Sequence, residues 1–173
     1  VTLDHPHGQI YSFGHIPEII KKQSIAQQGR PLKNYLSNIP EELILKKNST
    51  GICFVPRWAR YPFEIWIVPY RRVPDIYSLS GDEKKDLAEL MHYASKRLDG
   101  VFDTPMPYTL AWQLSPRGYE DSHHFHLCFQ PIRRSKTKLK YLAGVEQIAG
   151  FFLVDLPPER SARILRGEEQ PDE

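Results

Sequence analysis

The chain has 173 residues, of which 40% are hydrophobic and 12% aromatic, and its formal net charge is +2. This length suits one domain, or one domain with a fragment of another, and the hydrophobic share is ordinary for a soluble globular protein. The nearly balanced charge argues against nucleic-acid binding by the whole chain, and no stretch approaches the roughly 20 apolar residues that cross a bilayer. Cys53 and Cys128 form no CxxC pattern. With no apolar signal segment either, we expect a cytoplasmic protein with reduced thiols.

The chain opens with a pattern that predicts a strand over residues 3–13. Residues 5–11 read His-Pro-His-Gly-Gln-Ile-Tyr. Because side chains alternate faces along a strand, His5, His7 and Gln9 would point the same way. That arrangement is what a phosphate-attacking histidine would need.

Strands and one long helix follow. The polar segment 14–48, broken by prolines and glycines, predicts a crossover with a short helix at 32–36. Apolar runs and alternating patterns predict four strands, at residues 52–55, 63–68, 108–114 and 124–129. Apolar residues at helical spacing predict a helix over 82–98, with Ser80 and Glu83 as its capping box. A short helix at 161–165 ends the pattern.

This order predicts an α+β fold with a mainly antiparallel sheet. The format of the opening motif recurs at residues 124–129, which suggests two related units. We therefore divide the chain into the end of a first unit with a crossover (1–48), a second domain (49–166) and an acidic tail (167–173). The tail is expected to be disordered.

His7 has the chemistry of a nucleophile. An imidazole that is largely unprotonated near neutral pH can attack phosphorus without special tuning. Pro6 restricts the backbone, and Gly8 lets a bulky anionic group approach closely. Gln9 can donate an amide hydrogen to a phosphoryl oxygen at any pH. The alternative, two structural histidines beside a turn, explains the complete string less well.

The second histidine pair is open to three interpretations. His124 and His126 could be a structural pair in the sheet, a metal half-site with Cys128 as a third ligand, or a degenerate copy of the opening motif. Of these we favour the structural interpretation. His123 is expected to face the other side of the strand.

A basic run at 133–140 leads into the segment 140–146, Lys-Tyr-Leu-Ala-Gly-Val-Glu. Such a run either forms a solvated face or presents cations to a phosphorylated ligand. Lys140 could bind a negatively charged group, and Glu146 could accept hydrogen bonds from hydroxyl groups. That mixture suits a sugar phosphate, with a plain loop as an equal alternative.

Residues 5–11 resemble the active-site string of galactose-1-phosphate uridylyltransferases, a branch of the histidine-triad superfamily. The resemblance continues through 61–64, 68–69, 126–131 and 140–146. It covers nearly the whole chain but only the C-terminal half of the family's length. It implies a histidine-triad-like antiparallel sheet with a packed helix, plus the terminal strand of a first, incomplete unit.

The resemblance implies a two-step transfer. His7 would attack the α-phosphate of UDP-glucose and expel glucose 1-phosphate, and galactose 1-phosphate would then take the uridylyl group from the histidine. Gln9 would hold the phosphoryl group, at a position where hydrolytic relatives have a third histidine. Four residues would bind the substrate sugar and phosphate: Lys140, Tyr141, Gly144 and Glu146.

The resemblance also implies partners and a metal. His5 would be one ligand of a structural zinc, whose CxxC pair and further histidine belong to the N-terminal half of the family. A second metal site, found in some members, is not expected, because Gln23, Gln113 and Cys128 stand where such members have an acid or histidines. Expected partners are the N-terminal half of the enzyme and a second copy of the chain, since the first strand would expose an unpaired edge.

Three hypotheses about function remain. The chain is the C-terminal part of a split or truncated uridylyltransferase, a nucleotidyltransferase or phosphorylase for another sugar or an adenylyl group, or an inactive remnant or binding partner. Ala143 and Val145 differ from the commonest form of the family string and leave the fit to galactose open.

Overall fold

In a computed structural model, residues 7–172 are described. Along this range two helices come first, then three strands, a long helix, two strands and two final helices. The helices are α1 (Glu18–Gly29), α2 (Leu32–Leu36), α3 (Gly81–Asp99), α4 (Gly144–Ala149) and α5 (Pro158–Arg166), with a 3-10 turn at Glu41–Leu43. The strands are β1 (Ile44–Lys47), β2 (Gly51–Phe54), β3 (Ile65–Pro69), β4 (Tyr108–Gln113) and β5 (His126–Pro131).

The five strands form one antiparallel sheet in the order β1-β2-β3-β5-β4. Side chains of β3 alternate between two apolar clusters. Ile65 and Ile67 pack in the larger cluster with α3 and α5, while Trp66 and Val68 pack in the smaller one with α2. Both faces of the central strands are therefore covered, which explains their continuous apolar sequence. The predicted α+β class with an antiparallel sheet is confirmed.

Helix α3 supplies the largest packing element on the sheet. Its buried residues follow the predicted helical spacing, and they are Leu87, Leu90, Ala94 and Leu98. The predicted capping box is present: the Glu83 backbone nitrogen donates to Ser80 Oγ at 3.2 Å, and the Ser80 nitrogen donates to Glu83 Oε2 at 2.8 Å. Local sequence and tertiary packing therefore agree at this helix.

The structure corrects the strand that was predicted over residues 3–13. Residues 7–13 belong to no strand, and Ile10 is fully exposed; residues 3–6 lie outside the described part of the chain. A strand needs a neighbour for its backbone groups. No described strand of this chain pairs with residues 7–13, so the described part of the motif lacks the strand on which the same-face arrangement depends.

Helix α1 lies within the predicted crossover and was not predicted as a helix, because the residues that it buries are polar. Ser24 and Gln27 are its buried residues, while Ile19 and Ile25 are exposed. The apolar periodicity that identifies helices is therefore missing from its sequence.

The tail after Gly167 is described as far as residue 172, and Arg160 of α5 pairs with its carboxylates at 2.6 Å. None of the described helices is long and apolar enough to cross a membrane.

Candidate functional site

His7 and Gln9 lie on an exposed segment before α1. The Tyr11 hydroxyl donates a hydrogen bond to Gln9 Oε1, which leaves the amide nitrogen as the group that can donate. The Tyr11 ring stacks on Phe13 with centroids 6.3 Å apart. His5 lies outside the described residues. The roles of His7 as nucleophile and of Gln9 as donor stay predictions.

Lys140 and Glu146 form a buried ion pair. Their side chains are 8% and 1% exposed, and Lys140 Nζ lies 2.8 Å from Glu146 Oε1. The Leu153 nitrogen donates to the same oxygen at 2.9 Å, and the Ala143 nitrogen donates to Oε2 at 2.6 Å. The hydrogen bond from Lys140 and then these backbone donors lower the pKa of Glu146 to about 2. The pair thus links the chain segments on either side of α4. Glu146 Oε2 can accept one further hydrogen bond.

A cavity of about 490 Å³ adjoins this pair. Its volume is that of a small-molecule pocket. The lining combines charged, aromatic and small residues: Pro62, Arg134, Lys140, Tyr141, Ala143, Glu146, Phe152, Leu153, Val154 and Asp155. Three of the four predicted substrate-binding residues are among them, whereas Gly144, the first residue of α4, is exposed and is not among the described lining residues. The described lining residues do not include His7 or Gln9.

Two aromatic rings and two cations support one wall of the cavity. The Tyr61 and Phe152 rings lie 5.9 Å apart. The Arg60 guanidinium lies 5.4 Å from the Phe152 ring centre, and Lys140 Nζ lies 5.8 Å from that of Tyr61. Cations over aromatic faces are mutually stabilising. Of these four residues, Phe152 and Lys140 line the cavity, so an apolar ring lies beside a cation there.

Glu64 holds the turn that carries this wall, a role that sequence reasoning missed. The residue is completely buried. Its Oε2 accepts hydrogen bonds from the backbone nitrogens of Arg60 at 2.7 Å and Tyr61 at 3.3 Å. Its Oε1 accepts from Trp66 Nε1 at 2.8 Å and from the Cys128 thiol at 3.3 Å. The sequence signal for this role was a carboxylate at the start of an apolar strand. A carboxylate buried at such a position needs hydrogen-bond donors around it.

The histidine cluster connects β5 to α1. His126 Nδ1 donates to the His124 carbonyl at 2.8 Å, and His124 Nε2 donates to the Pro69 carbonyl at 2.7 Å. The His124 backbone nitrogen donates to Gln27 Oε1 at 2.8 Å, and Ser24 Oγ lies 2.9 Å from His123 Nδ1. These contacts are buried and support the structural interpretation of the pair.

Burial keeps these histidines neutral. It lowers the pKa of His124 to about 4 and that of His126 to about 3, and it also lowers the pKa of His123. The His126 ring stacks on Trp66 at 4.2 Å and on His123 at 5.7 Å. The expectation that His123 faces away is therefore wrong. Strand β5 begins only at His126, so strand alternation does not govern His123.

The described residues do not provide a metal site of their own. From residue 7 to 172, no three His, Cys, Asp or Glu side chains are grouped to hold a metal ion. The Cys128 thiol donates to Glu64, and burial raises the pKa of both Cys53 and Cys128, so neither is a ready thiolate ligand. The side chains of the described histidine cluster are thus not arranged to share one metal ion. The predicted zinc ligand His5 lies outside this range.

Comparisons with known proteins agree with the fold and the motifs. Residues 21–171 match the family model for the C-terminal domain of galactose-1-phosphate uridyl transferase. The galactose-1-phosphate uridylyltransferase of Thermotoga maritima is 34% identical over 97% of this chain. A solved uridylyltransferase structure covers 96% of the chain with a TM-score of 0.87 and 30% identity. A zinc-bound histidine triad family protein of Mycobacterium smegmatis covers 82% of the chain and 93% of its own length. It shares the fold at a TM-score of 0.57 and 13% identity.

The chain spans about half the length of the full-size relatives it matches. It covers 56% of the Thermotoga maritima enzyme and 55% of the solved uridylyltransferase chain. The family-model match, by contrast, takes in nearly all of this chain. The resemblance inferred from the motifs is therefore confirmed: this chain belongs to the galactose-1-phosphate uridyl transferase family and contains its C-terminal domain.

Proposed function

We propose that this chain is the C-terminal part of a nucleotidyltransferase that moves UMP from UDP-glucose to galactose 1-phosphate. The observation that carries the proposal is the family match over residues 21–171, preceded by the string His-Pro-His-Gly-Gln at 5–9. A uridylyl-histidine intermediate divides the transfer into two displacements at one phosphorus atom.

In the first step, an imidazole nitrogen of His7 forms a bond to the α-phosphorus of UDP-glucose. The bond from that phosphorus to the β-phosphate oxygen breaks, and glucose 1-phosphate leaves. In the second step, a phosphate oxygen of galactose 1-phosphate attacks the same phosphorus and His7 leaves. The Gln9 amide donates to a phosphoryl oxygen, where negative charge develops in both steps. The hydrogen bond from Tyr11 to Gln9 supports this orientation of the amide.

The cavity beside Lys140 is the proposed sugar-phosphate site. It places Tyr141 and the Lys140–Glu146 pair around a small-molecule volume. Oε2 of Glu146 retains an acceptor site for a sugar hydroxyl, and the Phe152 ring in the cavity lining offers an apolar surface to a sugar ring. We assign Lys140 mainly to holding Glu146 and the loop in place.

The proposal includes dependence on partners. His7 and Gln9 are not among the described residues that line the cavity, so nucleophile and sugar site are not joined within this part of the chain. The exposed apolar residues Tyr141, Ile148 and Phe151 lie next to the cavity in sequence. The proposal therefore includes both expected partners, the N-terminal half and a second copy of the chain. This exposed apolar surface is the reason for including the second copy. The zinc bound through His5 and the cytoplasmic location stay parts of the proposal.

A labelling experiment tests this function. The chain is incubated with UDP-glucose labelled in the α-phosphate, with and without the N-terminal half of a family enzyme. We expect an acid-labile label on this chain when that half is present. Absence of label under both conditions would contradict the proposal, and label from ADP-glucose but not UDP-glucose would replace it with an adenylyl-specific transferase.

A further inference from the structure

The cavity wall carries two ion pairs of different kinds. Lys140 and Glu146 are buried, with side chains 8% and 1% exposed. Arg134 and Asp155 are 49% and 62% exposed, and they meet in a direct contact at the rim. The two pairs therefore differ in how easily a ligand can replace one of the partners.

The buried pair cannot readily accept an anion. If Lys140 turned to a ligand, the carboxylate of Glu146, which is only 1% exposed, would lose its cationic partner, which is strongly unfavourable. The exposed pair contributes little to stability, because water solvates both groups when they separate. Of the two cationic residues that line the described cavity, Arg134 is thus the one able to exchange its partner.

The backbone holds Arg134 at the rim in a positive field. Its nitrogen donates to the Lys138 carbonyl at 2.9 Å, and Arg133 Nη1 donates to the Lys136 carbonyl at 2.6 Å. These bonds fold the basic run into a hairpin, and residues 133–140 contain no acidic residue. Clustered cations raise the local concentration of anions. Asp155 approaches this hairpin from 21 positions further along the chain.

We propose that Arg134 binds the phosphate group of a small phosphate monoester and that Asp155 occupies the phosphate position until the ligand arrives. A guanidinium can present two N–H groups to two phosphate oxygens, and a dianion competes well against a single exposed carboxylate. The choice of a sugar phosphate as the monoester rests on the proposed function. Binding itself requires no uridylyl transfer.

The test compares variants whose effects have opposite signs. The full chain, Arg134→Gln and Asp155→Asn are titrated with inorganic phosphate, galactose 1-phosphate and galactose at fixed ionic strength, with binding followed by NMR or calorimetry. We expect Arg134→Gln to weaken binding of both phosphates at least about tenfold. We expect Asp155→Asn to tighten it about two- to fivefold, because the competing carboxylate is gone.

Matched controls separate a site from general electrostatics. Lys136→Gln removes a cation from the same hairpin outside the cavity lining, and Asp121→Asn removes an exposed acid elsewhere. Both should change phosphate affinity less than twofold. Equal losses in Arg134→Gln and Lys136→Gln, or equal gains in Asp155→Asn and Asp121→Asn, would overturn the proposal.

Two further outcomes are decisive. Weaker binding in both Arg134→Gln and Asp155→Asn would show a merely structural ion pair and overturn the assignment. Equal affinity for galactose and galactose 1-phosphate would also overturn it. If phosphate binding behaves as expected while no uridylyl label forms, the proposed function fails and the anion site at Arg134 stands.

Discussion

The side-chain oxygen of Gln27 accepts a hydrogen bond from the backbone nitrogen of His124 at 2.8 Å, and this contact fastens α1 to the start of β5. Both residues are buried. The contact explains how a helix with a polar inner face packs on the sheet. It satisfies a backbone donor that has no strand neighbour at that position.

Gln27→Ala should therefore destabilise the chain. The His124 nitrogen would be left buried without its acceptor, and we expect the free energy of unfolding to fall by about 1–3 kcal/mol. Urea denaturation measures the change, and hydrogen exchange should show faster exchange across α1. Gln28→Ala, at an exposed neighbouring position, is the control and should change stability by less than about 0.5 kcal/mol. Equal effects of the two substitutions would contradict the role of Gln27.

The histidine cluster should make stability depend on pH. In the unfolded chain these imidazoles take up protons near their usual pKa of 6.5, whereas folded His124 and His126 do so near 4 and 3. Stability is therefore complete above about pH 6.5 and is lost progressively as the pH falls towards 3. Each of the two should contribute about 2.5 kcal/mol to this change, so we expect a loss of about 5 kcal/mol between pH 7.5 and 4.5, measured by urea denaturation.

A variant identifies the residues responsible. His126→Asn keeps a side-chain N–H donor but cannot titrate, so it should be less stable at pH 7.5 and lose less stability on acidification. His92→Asn, at an exposed position, should behave like the parent chain. An unchanged pH dependence in His126→Asn would show that other groups cause the acid sensitivity.

Lys140 and Glu146 should act as one unit. Lys140→Met leaves a buried carboxylate without its cation, and Glu146→Gln leaves a buried ammonium, so each should lower the melting temperature. The double variant should lower it by less than the sum of the two, since it removes both charges. Because the pKa of Glu146 is lowered from 4.5 to about 2, its contribution should be complete above about pH 4.5 and should be lost progressively as the pH falls from 4.5 to 2. Additive effects would contradict the coupling.

Gln9 should matter for the rate of transfer and not for folding. Gln9→Glu keeps the shape but replaces an amide donor with a negative charge facing phosphate, so the rate of labelling from UDP-glucose should fall at least about a hundredfold. Its melting temperature should stay unchanged, because the side chain is exposed. Ser12→Ala, on the same exposed segment, is the control. A rate unaffected by Gln9→Glu would remove Gln9 from the proposed mechanism.

The sequence predicted those elements whose local pattern and burial agree. Strands β2 and β3 are apolar on both faces, and α3 combines helical spacing with a capping box at Ser80. Helix α1 could not be predicted, since its contacts to the sheet run through Ser24 and Gln27. The strand expected over residues 3–13 depended on a neighbouring strand, and local sequence does not show whether that neighbour is present.

The candidate site likewise contains residues that the sequence could predict and residues that it could not. Lys140, Tyr141 and Glu146 could be named because they belong to a recognisable string, and all three line the cavity. Arg134 and Asp155 could not be paired in advance, since folding brings together two residues 21 positions apart. The orientation of His123 depended on where β5 begins, and strand ends are set by the register with β4 and β3.

The central claim is that His7 carries the uridylyl group, and mapping the label by mass spectrometry tests it most directly. After reaction with UDP-glucose in the presence of the N-terminal half of a family enzyme, we expect an acid-labile uridylyl group on the peptide that contains residue 7. It should be absent from His7→Asn and unchanged in His15→Asn, whose exposed histidine lies on the same segment. Label that persists in His7→Asn, or that maps to another residue, would contradict the account.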